Sequence, residues 1–155
     1  MTSTMKTRIA ICAALLLIGT TARGDSRDIR DRFAGAWRLA WLERPGADGR
    51  LHRVDCSGMF IFTRDGRASV QVMERSPQSP IPAGAEQYSQ GGYEASWGTY
   101  KVNERARTWV FHIEGALVRT LVGQDLPRSF EFSGNLLIVK STRPDEHWRV
   151  AWERY

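Results

Sequence analysis

Through most of the chain, apolar and polar residues alternate with a period of two, which sets successive side chains on opposite faces of a β-strand. Gly35 to Glu43 is the first such run and puts Trp37, Leu39 and Trp41 on one face. Pro45-Gly46-Ala47-Asp48-Gly49 is a turn cluster, and Leu51 to Val54 predicts a short strand. Gly58 to Thr63 and Ala68 to Glu74 predict a hairpin around Arg64-Asp65-Gly66-Arg67, with the Asp-Gly pair that tight turns favour. Tyr93 to Val102 and Thr108 to Leu117 form a second pair, turning at Asn103 to Ala106. Leu126 to Phe132 and Leu136 to Ser141 flank a Ser133-Gly134-Asn135 turn. After a turn at Arg143 to Glu146, His147 to Tyr155 predicts the last strand.

Two stretches depart from this period. Asp25 to Phe33 predicts a short helix, capped by Asp25 or Ser26, with Ile29 and Phe33 on one face. Ser76 to Gly92 holds Pro77, Pro80 and Pro82 among Gly, Ser and Gln residues and predicts a mouth loop or lid. The rest is all-β: about eight or nine short strands, nearly all joined by local turns. That connectivity predicts a closed antiparallel up-and-down barrel rather than a Greek-key sandwich. Closure also removes the edge strands that so apolar a sheet would expose. About eight strands enclose room for side chains or one small ligand.

The first residues belong to none of this. Lys6 and Arg8 precede an uncharged apolar run, Ile9 to Ile18, and small residues around Ala22 and Gly24 follow. This is the layout of a secretory signal peptide. It predicts residues 1–24 as a signal, with cleavage after Gly24 or after Ala22, and 25–155 as one exported barrel domain, periplasmic or secreted. The run is about half the roughly 20 residues of a spanning helix, so no stable membrane span is expected after cleavage. Loss of Lys6, Arg8 and Arg23 lowers the formal net charge from +5 to +2, because all 17 acidic residues lie from Asp25 onward. A balanced surface of scattered arginines gives no case for nucleic acid. Cys12 leaves with the signal, so Cys56 is alone in the mature chain and forms no intramolecular disulfide.

Several segments resemble a known family. Gly35-Ala36-Trp37, after a short helix, is similar to the Gly-x-Trp opening of lipocalins. The run from Gly58 to Met73 (GMFIFTRDGRASVQVM) resembles the bacterial and fungal lipocalin-like domain family. So do Trp97 to Val102 (WGTYKV), Val110 to Gly115 (VFHIEG) and the closing Trp152-Glu153-Arg154. The resemblance implies a calycin-type barrel with a central pocket. In a closed barrel the last strand ends beside the first, so Arg154 is expected to lie over the Trp37 indole. Gly35, Trp37 and Arg154 are thus read as structural closure.

Candidate ligand-binding residues follow from strand spacing. His112 and Glu114 share one face of a strand, and Trp109, Phe111 and Ile113 take the other. Either face could be the inner one; the family pattern, which carries both polar residues, favours the lumen for His112 and Glu114. Arg128 shares a face with Phe130 and Phe132, as an end-of-strand charge or an anchor for an anionic group. Gln71 is a further lumen candidate, and Tyr93, Trp97 and Tyr100 are candidates to line the mouth. His52, His112 and His147 lack metal-site spacing, and there is no nucleophile elbow, phosphate loop or dinucleotide fingerprint. No cofactor and no metal are expected. The chain reads first as an exported binding protein for a small, largely hydrophobic molecule. The alternatives are an isomerase, cyclase or dehydratase using His112 and Arg128 in the same pocket, or a ligand-free envelope or interaction barrel.

Overall fold

The computed structural model describes residues 29–76 and 92–155. The expected signal segment, the expected helix start at residues 25–28 and most of the Ser76 to Gly92 stretch therefore lie outside the described residues. What is described begins with α1 (Ile29–Phe33) and continues with nine strands. These are β1 (Gly35–Pro45), β2 (Leu51–Val54), β3 (Cys56–Phe62), β4 (Arg67–Glu74), β5 (Tyr93–Asn103), β6 (Thr108–Ala116), β7 (Asp125–Ser133), β8 (Leu136–Ser141) and β9 (Arg149–Arg154). A short 3-10 turn, Arg119–Leu121, lies between β6 and β7.

All the pairings are antiparallel, and β3 to β9 follow one another in chain order around the sheet. β1 closes the circle by pairing with β3 on one side and β9 on the other. β2 continues alongside the far half of β1, from Leu42 to Pro45, beyond the stretch taken by β3. The result is a closed eight-stranded barrel with one extra short strand. Turn chemistry sets the register of its hairpins. Gly66 has φ +91°, which only glycine adopts freely, and its N–H donates to the Thr63 carbonyl.

One register shift changes which side chains enter the lumen. Leu39 pairs with Trp152 but Trp41 pairs with the next residue back, Ala151, so Ala40 is the extra residue of a bulge. The bulge turns Trp41 to the outer surface, where the Arg53 and Arg149 guanidinium groups lie 4.8 and 5.7 Å from its ring. The period-two expectation that Trp37, Leu39 and Trp41 share a face therefore fails at Trp41. Beyond the bulge, Leu42 and Arg44 point inward instead.

One end of the barrel is plugged. Phe33 at the end of α1 is 0% exposed, and its ring meets those of Phe62, Tyr100, Trp109, Phe130 and Phe132 at 5.0–6.0 Å. The helix is short and gains little from its own hydrogen bonds, so packing must hold it in place. Two contacts do so. Trp37 Nε1 donates to the Phe33 carbonyl at 2.7 Å, and Arg154 donates to the carbonyls of Arg32 and Ala34 at 2.6 and 2.8 Å. Those carbonyls are the orphan acceptors of the helix C-terminus, where a cation is favoured. The same guanidinium lies 4.3 Å above the Trp37 ring. Gly35 makes this approach possible. Its φ is +133°, and a Cβ there would stand 2.6 Å from Arg154 Nη1.

Phe33→Ala is expected to destabilise the barrel by about 3–5 kcal/mol, because five rings close only partly around the void. Urea unfolding checks this, and a loss below about 1 kcal/mol would show that the ring is not the plug.

Candidate ligand-binding site

Above the plug, the inward faces of the strands stop filling the lumen. A cavity of about 250 Å³ remains in the half of the barrel where β1, β4 and β8 end. Aliphatic side chains make much of its wall: Leu39 and Leu42 from β1, Val70 and Val72 from β4, Leu126 from β7, Val139 from β8 and Val150 from β9. Aromatic rings make its floor and flank: Phe60, Trp109, Phe111 and Trp152. Polar residues are few and concentrate at the mouth, as Arg44, Glu94 and Arg128, with Ser96 one step deeper on the wall. Apolar walls with a few placed polar groups are the usual make-up of a small-molecule pocket.

Arg128 is the most enclosed charge of the mouth, with its side chain 12% exposed. It lies on β7 two residues before Phe130 and takes the same inward face. Its guanidinium donates to the Pro127 carbonyl at 3.0 Å and to Ser141 Oγ at 3.4 Å, and it lies 3.4 Å from Glu146 and 4.9 Å from the Trp148 ring. Burial lowers its proton affinity, and the Glu146 carboxylate opposes that. Glu146 also pairs with Arg143 and accepts from Trp148 Nε1 at 3.1 Å, so this side of the mouth is a closed network. Across from it, Arg44 pairs with Glu74 at 2.6 Å.

Glu94 was missed in the sequence, hidden between the more conspicuous Tyr93 and Trp97. Strand parity puts it with Ser96, Gly98 and Tyr100 on the inner face of β5. It keeps contact with solvent, yet the surrounding wall strips enough water to push its carboxyl above the ordinary carboxylate range. The Arg128 charge pulls it part of the way back.

Two buried donors stand apart. The indole Nε1 atoms of Trp109 and Trp152 have no hydrogen-bond partner among the described residues, although both side chains are only 2% exposed. An unpaired buried donor costs about 1–3 kcal/mol.

The other residues singled out in the sequence lie elsewhere. His112 and Glu114 are on the outer face of β6, and the expectation of a lumen position for them is corrected. Trp109, Phe111 and Ile113 occupy the inner face instead. His112 Nδ1 lies 2.8 Å from Asp125, and Glu114 accepts from Arg67 at 2.7 Å. The apolar face wins the interior because three large side chains recover far more hydrophobic free energy there than an imidazole and a carboxylate would. Gln71 also faces outward, donating to Ser69 Oγ at 3.2 Å, while Val70 and Val72 face in. Trp97 is 51% exposed on the outer face and lies across Gly115, its cross-strand neighbour. Gln71, Trp97 and Glu114 do come together, but in a shallow groove on the outside. Tyr93 is exposed on the same side. Tyr100 points inward but belongs to the plug: it stacks on Phe33 and donates to the Thr63 carbonyl at 2.8 Å. Only Arg128, of the seven candidate ligand contacts, lines the cavity.

Other chemistry has little to work with. Among the described residues, no three His, Cys, Asp or Glu side chains converge on a possible metal position. Cys56 is buried near the mouth end of β3, and burial pushes its thiol up. That environment favours the unreactive protonated form.

Fold, plug and cavity define a lipocalin-type barrel. The sequence profile of the lipocalin-like domain family matches residues 34–154, nearly the whole described region, and the chain belongs to that family. No curated protein sequence matches it significantly.

The raised Glu94 carboxyl carries a signed prediction. A folded-state pKa above the unfolded one means that the ionised form is disfavoured in the barrel. Stability is then greatest below the unfolded pKa and falls as pH rises through the folded one. Glu94→Gln is therefore expected to be more stable than the parent at neutral pH. The gap should close as pH falls below the ordinary carboxylate range, read from denaturant midpoints across pH. A gap that widens in acid would reverse the sign and sink the assignment.

Proposed function

We propose that this protein is an exported carrier that binds one small, largely apolar molecule in the mouth half of its barrel. The observation that supports this best is the cavity of about 250 Å³, walled by apolar side chains above a plugged floor. Small-molecule binders leave such a space, whereas a purely structural barrel has every reason to fill it, since each unfilled volume lowers stability. A cavity of about 150 Å³ holds benzene. The space here suits about two linked or fused rings or an equivalent branched chain. Burial of apolar surface drives binding, and the polar mouth orients the molecule. The apolar run near the N-terminus and the small residues after it support export. The acid–base route through His112 loses its support, because that ring is outside the barrel.

Titration with N-phenylnaphthylamine, an uncharged fluorescent probe whose naphthalene is of this size and whose phenyl ring would extend to the mouth, is expected to saturate at one molecule per chain. Val72→Phe, which fills the mouth half, should weaken binding at least about tenfold while the protein stays folded. His112→Ala should leave it unchanged. A probe response that never saturates, or that Val72→Phe does not touch, would remove the pocket. Export has its own check: intact mass of the protein from its native host should correspond to a chain starting at Arg23 or Asp25. Recovery of the full 17.6 kDa chain as the only species would contradict export with cleavage.

A further inference from the structure

We infer that the natural ligand carries a carboxylate, which the open edge of the Arg128 guanidinium receives at the mouth while the apolar body fills the cavity. The inference rests on the cavity being a ligand site and adds the chemistry of what enters it. Arg128 lines that cavity, and its side chain is 12% exposed. The network on this side of the mouth closes on one of its nitrogens: Nη1 donates to the Pro127 carbonyl and to Ser141 Oγ. Glu146 stands 3.4 Å from the same nitrogen, and its oxygens accept from Arg143 and Trp148. Nε and Nη2 donate to nothing among the described residues. Neither is sealed off, because the buried side-chain nitrogens and oxygens without a partner among those residues are the indole Nε1 atoms of Trp109 and Trp152 alone. Nε–H and the Nη2 N–H beside it form the side edge of the guanidinium, two parallel donors at the spacing of the oxygens of a carboxylate.

Charge and rigidity both favour an anion at this edge. Arg128 and Arg143 share the carboxylate of Glu146, so this side of the mouth has one guanidinium more than it has carboxylates to pair. Arg44, across the mouth, is paired with Glu74. Glu94 also lines the cavity, but it makes no ion pair with Arg128, whose carboxylate neighbour is Glu146. The guanidinium is held in place before anything binds: Pro127 and Ser141 fix Nη1, and the Trp148 ring lies 4.9 Å away. A side chain fixed in this way loses little further freedom when a ligand arrives. An uncharged oxygen would use a single N–H and leave the extra cation unmatched. A carboxylate takes both donors and supplies the missing charge. The aliphatic and aromatic walls account for the rest of the molecule, a monocarboxylic acid with a ring-sized apolar body.

2-Naphthoate and 2-naphthamide test this directly, because they share size and shape and differ in charge. Displacement of N-phenylnaphthylamine from the intact protein is expected to show naphthoate binding about tenfold more tightly, the effect of a charge-assisted pair over a neutral one. Arg128→Gln should weaken naphthoate at least about tenfold and leave naphthamide within about threefold. Arg128→Lys keeps the charge and loses the fork, and its affinity for naphthoate should fall between the two. In the nitrogen-15 spectrum the Arg128 Nε–H signal, identified by its absence from Arg128→Lys, should move downfield with naphthoate and stay in place with naphthamide. If Arg128→Gln fails to fold, the two probes on the parent protein and that signal still decide. Glu94→Gln removes a facing carboxylate and should tighten naphthoate. Weaker binding there would overturn the assignment by making Glu94 the receiving group. A preference for the acid that survives Arg128→Gln would overturn it as well, since the charge would then be read elsewhere. Equal affinity for acid and amide, with an unmoved Nε–H signal, would overturn the carboxylate and leave the apolar pocket standing. Failure of both naphthalenes to displace a bound probe has the same meaning. The pocket falls too only if N-phenylnaphthylamine itself does not saturate.

Discussion

Everything above the floor of this barrel depends on one interlocked contact: Phe33 driven into the lumen and held there from behind by Arg154. A five-residue helix has no independent stability, so the plug stays only if something outside the barrel holds the helix down. Arg154 supplies that hold because it serves two surfaces at once. Its planar face covers the Trp37 indole, and its edge donors reach the last carbonyls of the helix. The contact also joins the two ends of the described chain, since Trp37 and Arg154 are register partners in the strand pair that closes the barrel. Closure of the sheet and closure of its end are thus one event. Among the described residues the one cysteine, Cys56, is free, so that coupling does what a covalent tie does in small disulfide-bonded domains.

The plug also decides where the cavity lies. Phe33, Phe62, Tyr100, Phe130 and Phe132 gather around the helix end and use up the large side chains at that level. Toward the mouth the inward positions change to Leu and Val, with Ser96 and Glu94 on β5. Side-chain volume falls while the circumference stays at eight strands, and the difference in volume is the cavity. The bulge at Ala40 contributes to the same asymmetry. It takes the bulk of Trp41 out of the lumen and brings in Leu42 and Arg44.

Much of this was legible in the sequence, and what failed did so for an identifiable reason. Period-two alternation and Asp-Gly or Gly-Asn turns located the strands to within a residue or two. Local connections identified the barrel, and closure alone juxtaposed Trp37 with Arg154. Alternation sorts residues into two faces but does not say which is inner. For β6 the decision needed only a comparison of burial energies, and Trp109, Phe111 and Ile113 outweigh His112 and Glu114. On β5 the same alternation hides the site, because the aromatic residues Tyr93 and Trp97 are outside and Glu94 and Ser96 are inside. The small residues of the inner face were the signal there: a strand that offers Ser96 and Gly98 inward leaves space. Trp41 could not be placed from the pattern at all, since a bulge is a property of two strands meeting and not of either alone.

Polar satisfaction varies along the barrel axis in step with packing. At the plugged end Trp37, Tyr100 and Arg154 all have partners, and the aromatic rings around Phe33 are in contact on every side. At mid-height the indole N–H groups of Trp109 and Trp152 have none among the described residues, and at the mouth Glu94 is partly desolvated near a guanidinium already paired with Glu146. A fold under selection for stability alone would remove those defects, since phenylalanine or glutamine would do so without disturbing the backbone. These groups lie above the plugged end, at the level where inward side chains become smaller and packing gives way to the cavity.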